Sequence, residues 1–287
     1  MKSFNFFLSY LLLYLFRAFG FRSALTKALN LSPFNFHARN DLRADDKLGV
    51  LQNRCSLEIL NASFPEEAAK AARFFQYCVE NHQHSNSQIF QDLFALWVLE
   101  KTGPYYFVEF GAVDGIWGSN SLLFEKRFGP NGVIAEPNPR YKDILHRNRK
   151  CKIELRCVHS ISNSQVTFTD VEDAPELSTM TQYHSADKHS SKRKGSQHTV
   201  ETVTLMDMLE FHRAPHEMGY LSIDTEGSEF EILKNFNFNR YRFKVVTIEH
   251  NHDAVKIDKL VTLLQGFGYK RYLPYISAFD LWFVLER

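Results

Sequence analysis

Cysteine is scarce in this chain and forms no pattern. Four cysteines, Cys55, Cys78, Cys151 and Cys157, stand among 287 residues without a C-x-x-C pair. That leaves no zinc-ligand spacing and no disulfide framework, and it points to free thiols in a reducing compartment. Excess charge is missing too: 34 Lys and Arg against 33 Asp and Glu give a net charge of +1, so no overall field argues for nucleic acid or an acidic substrate. Phosphate-binding glycine loops are absent, both G-x-G-x-x-G and G-x-x-x-x-G-K-[ST], which disfavours a dinucleotide or a P-loop nucleotide. A membrane span of about 20 residues is missing at the N-terminus, where the uncharged run from Ser3 to Phe16 is closed by Arg17. Arg17 also sits where a signal-peptide cleavage region should be small and neutral. Phe4, Phe7, Leu8, Leu11, Leu12, Leu15 and Phe19 follow helical spacing. They predict an amphipathic helix that lies either on a membrane surface, through residues 4–21, or on the protein body. The expected location is cytoplasmic, with peripheral membrane contact as the alternative.

What the chain does have is an alternation of strand and helix periods with acids at strand ends. Tyr105 to Phe110 reads as a strand, about Ser121 to Phe128 as a helix, Val133 to Glu136 as a strand and Arg140 to Asn148 as a helix. Strands follow at about Ile153 to Ser160, at Val166 to Thr169 and at Val200 to Leu205, then a helix at Met206 to Phe211. The strand Tyr220 to Asp224, the helix Phe230 to Asn235, the strand Lys244 to Glu249 and the helix Val255 to Gln265 come next. Tyr269 to Leu273 and Phe279 to Leu285 close the chain. Such alternation predicts an open, mostly parallel sheet with helices on both faces, and ligands there bind outside the carboxyl ends of the strands. Upstream, Glu66 to Val79 predicts a helix with Pro65 in its first turn, and Gln88 to Leu99 predicts another. The residues after Pro33 show little period and read as a linker or cap. The stretch from Ala174 to Gln197 is poor in apolar residues and reads as a long loop, either a lid or a solvated insertion.

Glu109-x-Gly111-x-x-x-Gly115 follows the first strand and Glu136 ends the second. An acid beside the turn would repel a diphosphate and attract a cationic sulfonium, and an acid at the second strand's tip suits a ribose diol. Those two features favour S-adenosylmethionine over NAD or ATP. Asn120 and Ser121, behind the glycine turn, are placed to bind a carboxylate through backbone N–H groups. Asp224, Glu226 and Glu229 form a second acidic cluster on the same rim. They read either as site residues or as acids capping the helix that follows. No ligand spacing there compels a metal. A hydroxyl acceptor needs a group to take its proton, for which His250 and, further off, His159 are candidates beside Glu226.

The blocks Ser87-Gln88-Ile89-Phe90-Gln91-Asp92, Val108 to Gly115 with Ser119-Asn120-Ser121, Ala135-Glu136-Pro137-Asn138-Pro139, Ile223 to Glu229 and Ile248-Glu249-His250-Asn251 come in that order. Together they resemble the FkbM family of S-adenosylmethionine-dependent methyltransferases. The resemblance implies the class I methyltransferase fold: an α/β, Rossmann-like, mostly parallel seven-stranded sheet with helices on both faces and an antiparallel last strand. It implies O-methylation of a hydroxyl on a sugar, glycan or natural product. It makes Glu109, Gly111, Asp114, Gly115, Asn120, Glu136 and Asp224 the expected cofactor-binding residues, and Asp224, His250 and Glu226 the expected catalytic ones. The expected organisation is an apolar helix over 1–36, a linker and helical cap over 37–86, and the methyltransferase-like domain over 87–287. Two other readings stay open: a non-catalytic, membrane-associated binding module of the same fold, and a sugar-nucleotide-binding enzyme.

Overall fold

The computed structural model describes residues 44–100, 102–171, 178–183 and 195–286. The N-terminal segment 4–21 lies outside the described residues, as does most of the Ala174–Gln197 stretch. Within them, no helix is long and apolar enough to cross a membrane.

Among the described residues three α-helices precede the sheet: α1 (Ala44–Asn61), α2 (Pro65–Asn81) and α3 (Gln91–Leu99). Then come β1 (Phe107–Phe110), α4 (Leu122–Phe128), β2 (Gly132–Ala135), α5 (Lys142–Asn148), β3 (Lys152–Glu154), β4 (Cys157–His159), β5 (Gln165–Asp170) and β6 (Thr179–Met180). The chain continues through β7 (Ser196–Thr204), α6 (Leu205–Phe211), β8 (Glu217–Ile223), α7 (Glu229–Leu233), β9 (Arg242–Glu249), α8 (Ala254–Gly266), β10 (Tyr269–Tyr272) and β11 (Asp280–Leu285). Seven strands form one sheet in the order β10-β11-β9-β8-β1-β2-β3. It is parallel from β3 to β9, while β11 pairs antiparallel with both β9 and β10. This is the expected class I architecture.

Strands buried on both faces read as apolar runs, and alternate side chains separate into two cores. Phe107, Tyr220, Val245 and Trp282 face α1–α3. Val108, Phe110, Leu221, Val246 and Phe283 face the opposite layer with α6 and α8. The buried Trp282 ring stacks on Phe94 of α3 at 4.5 Å and meets Phe74 of α2 edge-on at 5.7 Å. The helices before residue 87 therefore share a core with the sheet.

Two local expectations are corrected. The segment Ala44–Asn61, read as linker or cap without a helix of its own, is an 18-residue helix. Its inward positions Leu48, Leu51, Cys55 and Ile59 keep helical spacing, but a cysteine, the buried Glu58 and flanking charges obscure the pattern. The single strand expected over Ile153 to Ser160 is two strands. The Glu154 carboxylate accepts the backbone N–H of Arg156 at 3.0 Å and its guanidinium at 2.7 and 2.8 Å. That turn sends β3 to the large sheet and β4 to a second one, ordered β4-β7-β5-β6. The second sheet also draws Thr179–Met180 out of the expected loop, antiparallel to β5.

Candidate functional site

Parallel register sets the rim. Phe110 lies opposite Ala135 of β2 and Ile223 of β8, so the next residues Gly111, Glu136 and Asp224 emerge together at the carboxyl end of the sheet. They border a cleft whose wall also includes Glu109, Asn120 and Glu226.

The glycines in the first loop serve packing. A Cβ on Gly111, at φ +77°, would fall 2.0 Å from the carbonyl oxygen of Asp224, so the β1 loop passes directly over the end of β8. A Cβ on Gly115, at φ +81°, would strike Arg149 at 2.7 Å. Both positions require glycine for close approach within the protein, whereas the resemblance makes them cofactor-binding residues. Asp114 is likewise turned to its own loop, where Oδ1 accepts the N–H groups of Ile116 and Trp117 at 2.9 and 2.8 Å. Neither Asp114 nor Gly115 lines the cleft.

Glu109 borders the cleft, but its oxygens are engaged by the protein. Oε1 accepts the Asn120 N–H at 2.5 Å, and Oε2 accepts the hydroxyls of Ser119 and Ser121 at 2.9 and 2.6 Å. Behind it lies Arg149, whose side chain is fully buried and 3.5 Å from Glu109 and 2.9 Å from Glu125. Burial opposes the Arg149 charge, yet Glu109 and Glu125 outweigh that effect and raise its pKa. The negative charge expected to attract a sulfonium is thus already paired.

That network corrects a second expectation. The backbone N–H of Asn120 is spent on Glu109, and that of Ser121 on the Ser119 hydroxyl at 3.3 Å. Neither is left for a ligand carboxylate. The side chain of Asn120 is the available group: it donates to Ser222 Oγ at 2.9 Å, and its buried Oδ1 has no partner among the described residues. Asn120 is only 9% exposed and stands in the cleft wall.

Glu136 accepts the N–H of Val113 and of Asn138, each at 2.9 Å. Burial, aided by Asp170 and Asp224 nearby, pushes its carboxyl up to about 7 against those two hydrogen bonds. It clamps the β1 and β2 loops together while facing the cleft.

The second acidic cluster divides. Glu229 turns back on the loop before its own helix, taking the Gly227 N–H at 2.9 Å, and pairs with Lys256 at 2.8 Å. Asp224 and Glu226 face the cleft. Glu226 sits at φ +57° and accepts from the Asn251 amide at 3.0 Å, an amide that also donates to Glu249 at 2.9 Å. Burial holds Asp224 and Glu249 above the usual carboxylate range; repulsion from Asp224 raises Glu249 further, whereas the hydrogen bond between the two carboxyls pulls Asp224 back down. Oδ1 of Asp224 is sealed from solvent, and among the described residues Glu249 is the hydrogen-bond partner of this carboxyl.

Neither histidine candidate reaches the cleft. His250 is buried, and burial pushes its imidazole down to about 4, aided by His252, Arg271 and Lys256. His159 bonds Tyr183 at 3.2 Å. Sequence reasoning missed Trp117, Phe168 and Met180, which complete the apolar wall. Phe168 and Met180 stand on strands that pair only in the second sheet, which no local pattern announces. Thr179 ties that wall to the acidic loop by donating to the carbonyls of Thr225 and Glu226 at 3.3 and 3.1 Å.

The methyltransferase FkbM domain model matches residues 109–271, over half of the chain, from Glu109 through the last helix and into β10. The chain belongs to the FkbM methyltransferase family. Among solved structures, this FkbM chain is similar to methyltransferase FkbM from Methylobacillus flagellatus KT at 10% identity and a TM-score of 0.44, over 85% of this chain and 59% of that one. It thus spans about three fifths of that neighbour's length. It is also similar to precorrin-6y C5,15-methyltransferase from Geobacter metallireducens GS-15 at 14% identity and a TM-score of 0.32, over 63% of this chain and 70% of that one. No curated protein matches the chain.

Proposed function

We propose that this FkbM protein binds S-adenosylmethionine and methylates the oxygen of a hydroxyl on a small molecule or glycan. The observation that carries the donor assignment is the partnerless, buried Oδ1 of Asn120 in the cleft wall. A buried acceptor without a donor is costly, and an ammonium group on the ligand would supply one. Glu136, at the other end of the rim, suits a ribose diol. When bound, the donor offers a methyl carbon on a cationic sulfur; the C–S bonding pair stays on sulfur as the new O–C bond forms.

The chain's own contribution is alignment and proton removal. Asn120 is oriented by Ser222, and Glu136 is fixed by two backbone N–H groups, so both enter binding already ordered. Trp117, Phe168 and Met180 exclude water along the apolar wall. The hydroxyl proton passes to the carboxylates at the Asp224–Glu226 end, which accept hydrogen bonds and so favour an O–H acceptor. His250 has no part in this step.

Calorimetric titration of the full chain with S-adenosylhomocysteine tests the donor site. Micromolar binding is expected, weakened by about 1–3 kcal/mol in Glu136→Ala through loss of the diol hydrogen bonds. A folded protein that binds a sugar nucleotide and ignores S-adenosylhomocysteine would overturn the proposal. A protein that binds the donor product but turns over no hydroxylated acceptor would favour the non-catalytic module.

A further inference from the structure

We propose that the mouth of the cleft rests on an anionic lipid bilayer, which Ile116 and Trp117 enter and the basic, apolar N-terminal segment also contacts. The loop between β1 and α4 puts two large apolar side chains next to each other in solvent: Ile116 is 41% exposed and Trp117 38%. Trp117 also lines the cleft, and Ile116 does not. The loop is held firmly in this shape. Oδ1 of Asp114 accepts the N–H groups of Ile116 and Trp117 at 2.9 and 2.8 Å, Asn148 donates to the Asp114 carbonyl at 2.8 Å, and Gly118 forms a β-bridge with Ser87. Asp114, a cofactor residue by resemblance, is spent on presenting an apolar pair whose exposure forgoes the stabilisation of burial.

The chain that precedes α1 says what covers the pair. Lys47, in the first turn of α1, donates to the Ser87 carbonyl at 2.9 Å, and Ser87 is the residue bridged to Gly118. The 43 residues before Ala44 therefore join the body beside the Ile116–Trp117 loop. They include the apolar run 4–21, and residues 1–40 carry Lys2, Arg17, Arg22, Lys27 and Arg39 without one Asp or Glu. The whole chain has a net charge of only +1, so its basic excess is concentrated at this end. Apolar side chains among acyl chains, with cations at the level of the headgroups, match an anionic bilayer surface. Tryptophan suits that boundary, because its ring is apolar and its N–H is polar.

Seated in this way, the cleft opens toward the bilayer, and the acceptor is a hydroxyl on a membrane-borne molecule. That consequence rests on the methyl-transfer reading; the lipid contact does not.

The test is the fluorescence of the full chain mixed with vesicles of phosphatidylcholine and phosphatidylserine in equal parts, with and without brominated acyl chains. Of the three tryptophans, Trp282 is fully buried and Trp97 packs against Phe74 and Phe94, so Trp117 is the reporter. Binding that salt weakens is expected, with bromine quenching that disappears in Trp117→Phe while binding remains. Ile116→Asp should bind the vesicles about tenfold more weakly and S-adenosylhomocysteine as wild type does. Phe211→Ser, at a residue 70% exposed at the end of α6, should bind vesicles like wild type. A wild type that ignores the vesicles overturns the proposal. So does binding without quenching of Trp117, which would turn the cleft away from the lipid, and so does an equal loss in Phe211→Ser, which would mark general stickiness. Vesicle binding without S-adenosylhomocysteine binding sinks only the donor reading; the reverse sinks only the lipid contact.

Discussion

Arg149 shows how much of the cleft rests on one buried side chain. Its guanidinium reaches Glu109, Glu125, Ser119, Ser121 and the Gly115 carbonyl, and so fixes the loop that presents Asn120. Removing it leaves the Glu109 carboxylate buried without its cation, a loss worth about 3–5 kcal/mol. Arg149→Met should therefore lower the unfolding free energy measured by urea denaturation by that amount and abolish S-adenosylhomocysteine binding, and Glu109→Gln on top of it should restore part of the stability. An unchanged midpoint in Arg149→Met would remove the residue from this role. Glu109 was legible in the sequence as an acid at a strand tip, but its role was not. The partner lies 40 residues away, on the far side of α5, where no spacing rule connects them.

At the level of elements, α1 is locked to the closing strands by one acid. Glu58 accepts the N–H groups of Tyr275 at 2.7 Å and Ile276 at 3.2 Å, between β10 and β11. Burial pushes its carboxyl up to about 7, although those hydrogen bonds and the nearby Arg271 pull the other way. A carboxyl raised in the folded state binds more protons there than when unfolded. Stability from this group is accordingly present below its unfolded pKa, near 4.5, and is lost as pH rises through 7. Glu58→Gln keeps an acceptor for the two N–H groups and has no charge to develop. Urea midpoints at pH 5 and pH 8 should differ less in this variant than in wild type, with a gain on the order of 1–3 kcal/mol at pH 8. An identical pH difference would assign the slope to other buried acids, such as Asp280, which burial pushes up to about 8. The helix itself escaped the sequence reading because inward-facing Glu58 and Cys55 break the apolar stripe.

The molecule as a whole behaves as one packed body from α1 onward. Phe74, Phe94 and Trp282 meet in a single aromatic cluster although more than 200 residues separate the first from the last. A fragment beginning at Ser87 would expose the Trp282 face of the sheet. It should lose cooperative unfolding, as monitored by circular dichroism, while residues 44–287 should retain it. A cooperative melt of the shorter fragment would show that the sheet does not need α1 and α2. The alternation of strand and helix, the acids at the strand tips and the order of the motif blocks were all determined by sequence alone. Strand burial and chain reversal are local demands, met by residue type and spacing. Only the tertiary structure decided which acids face the cleft, that Glu109 is neutralised by Arg149, and that Glu249 joins Asp224 and Glu226. Those outcomes depend on which strand ends lie side by side, and adjacency across a sheet is set by the packing of the whole chain.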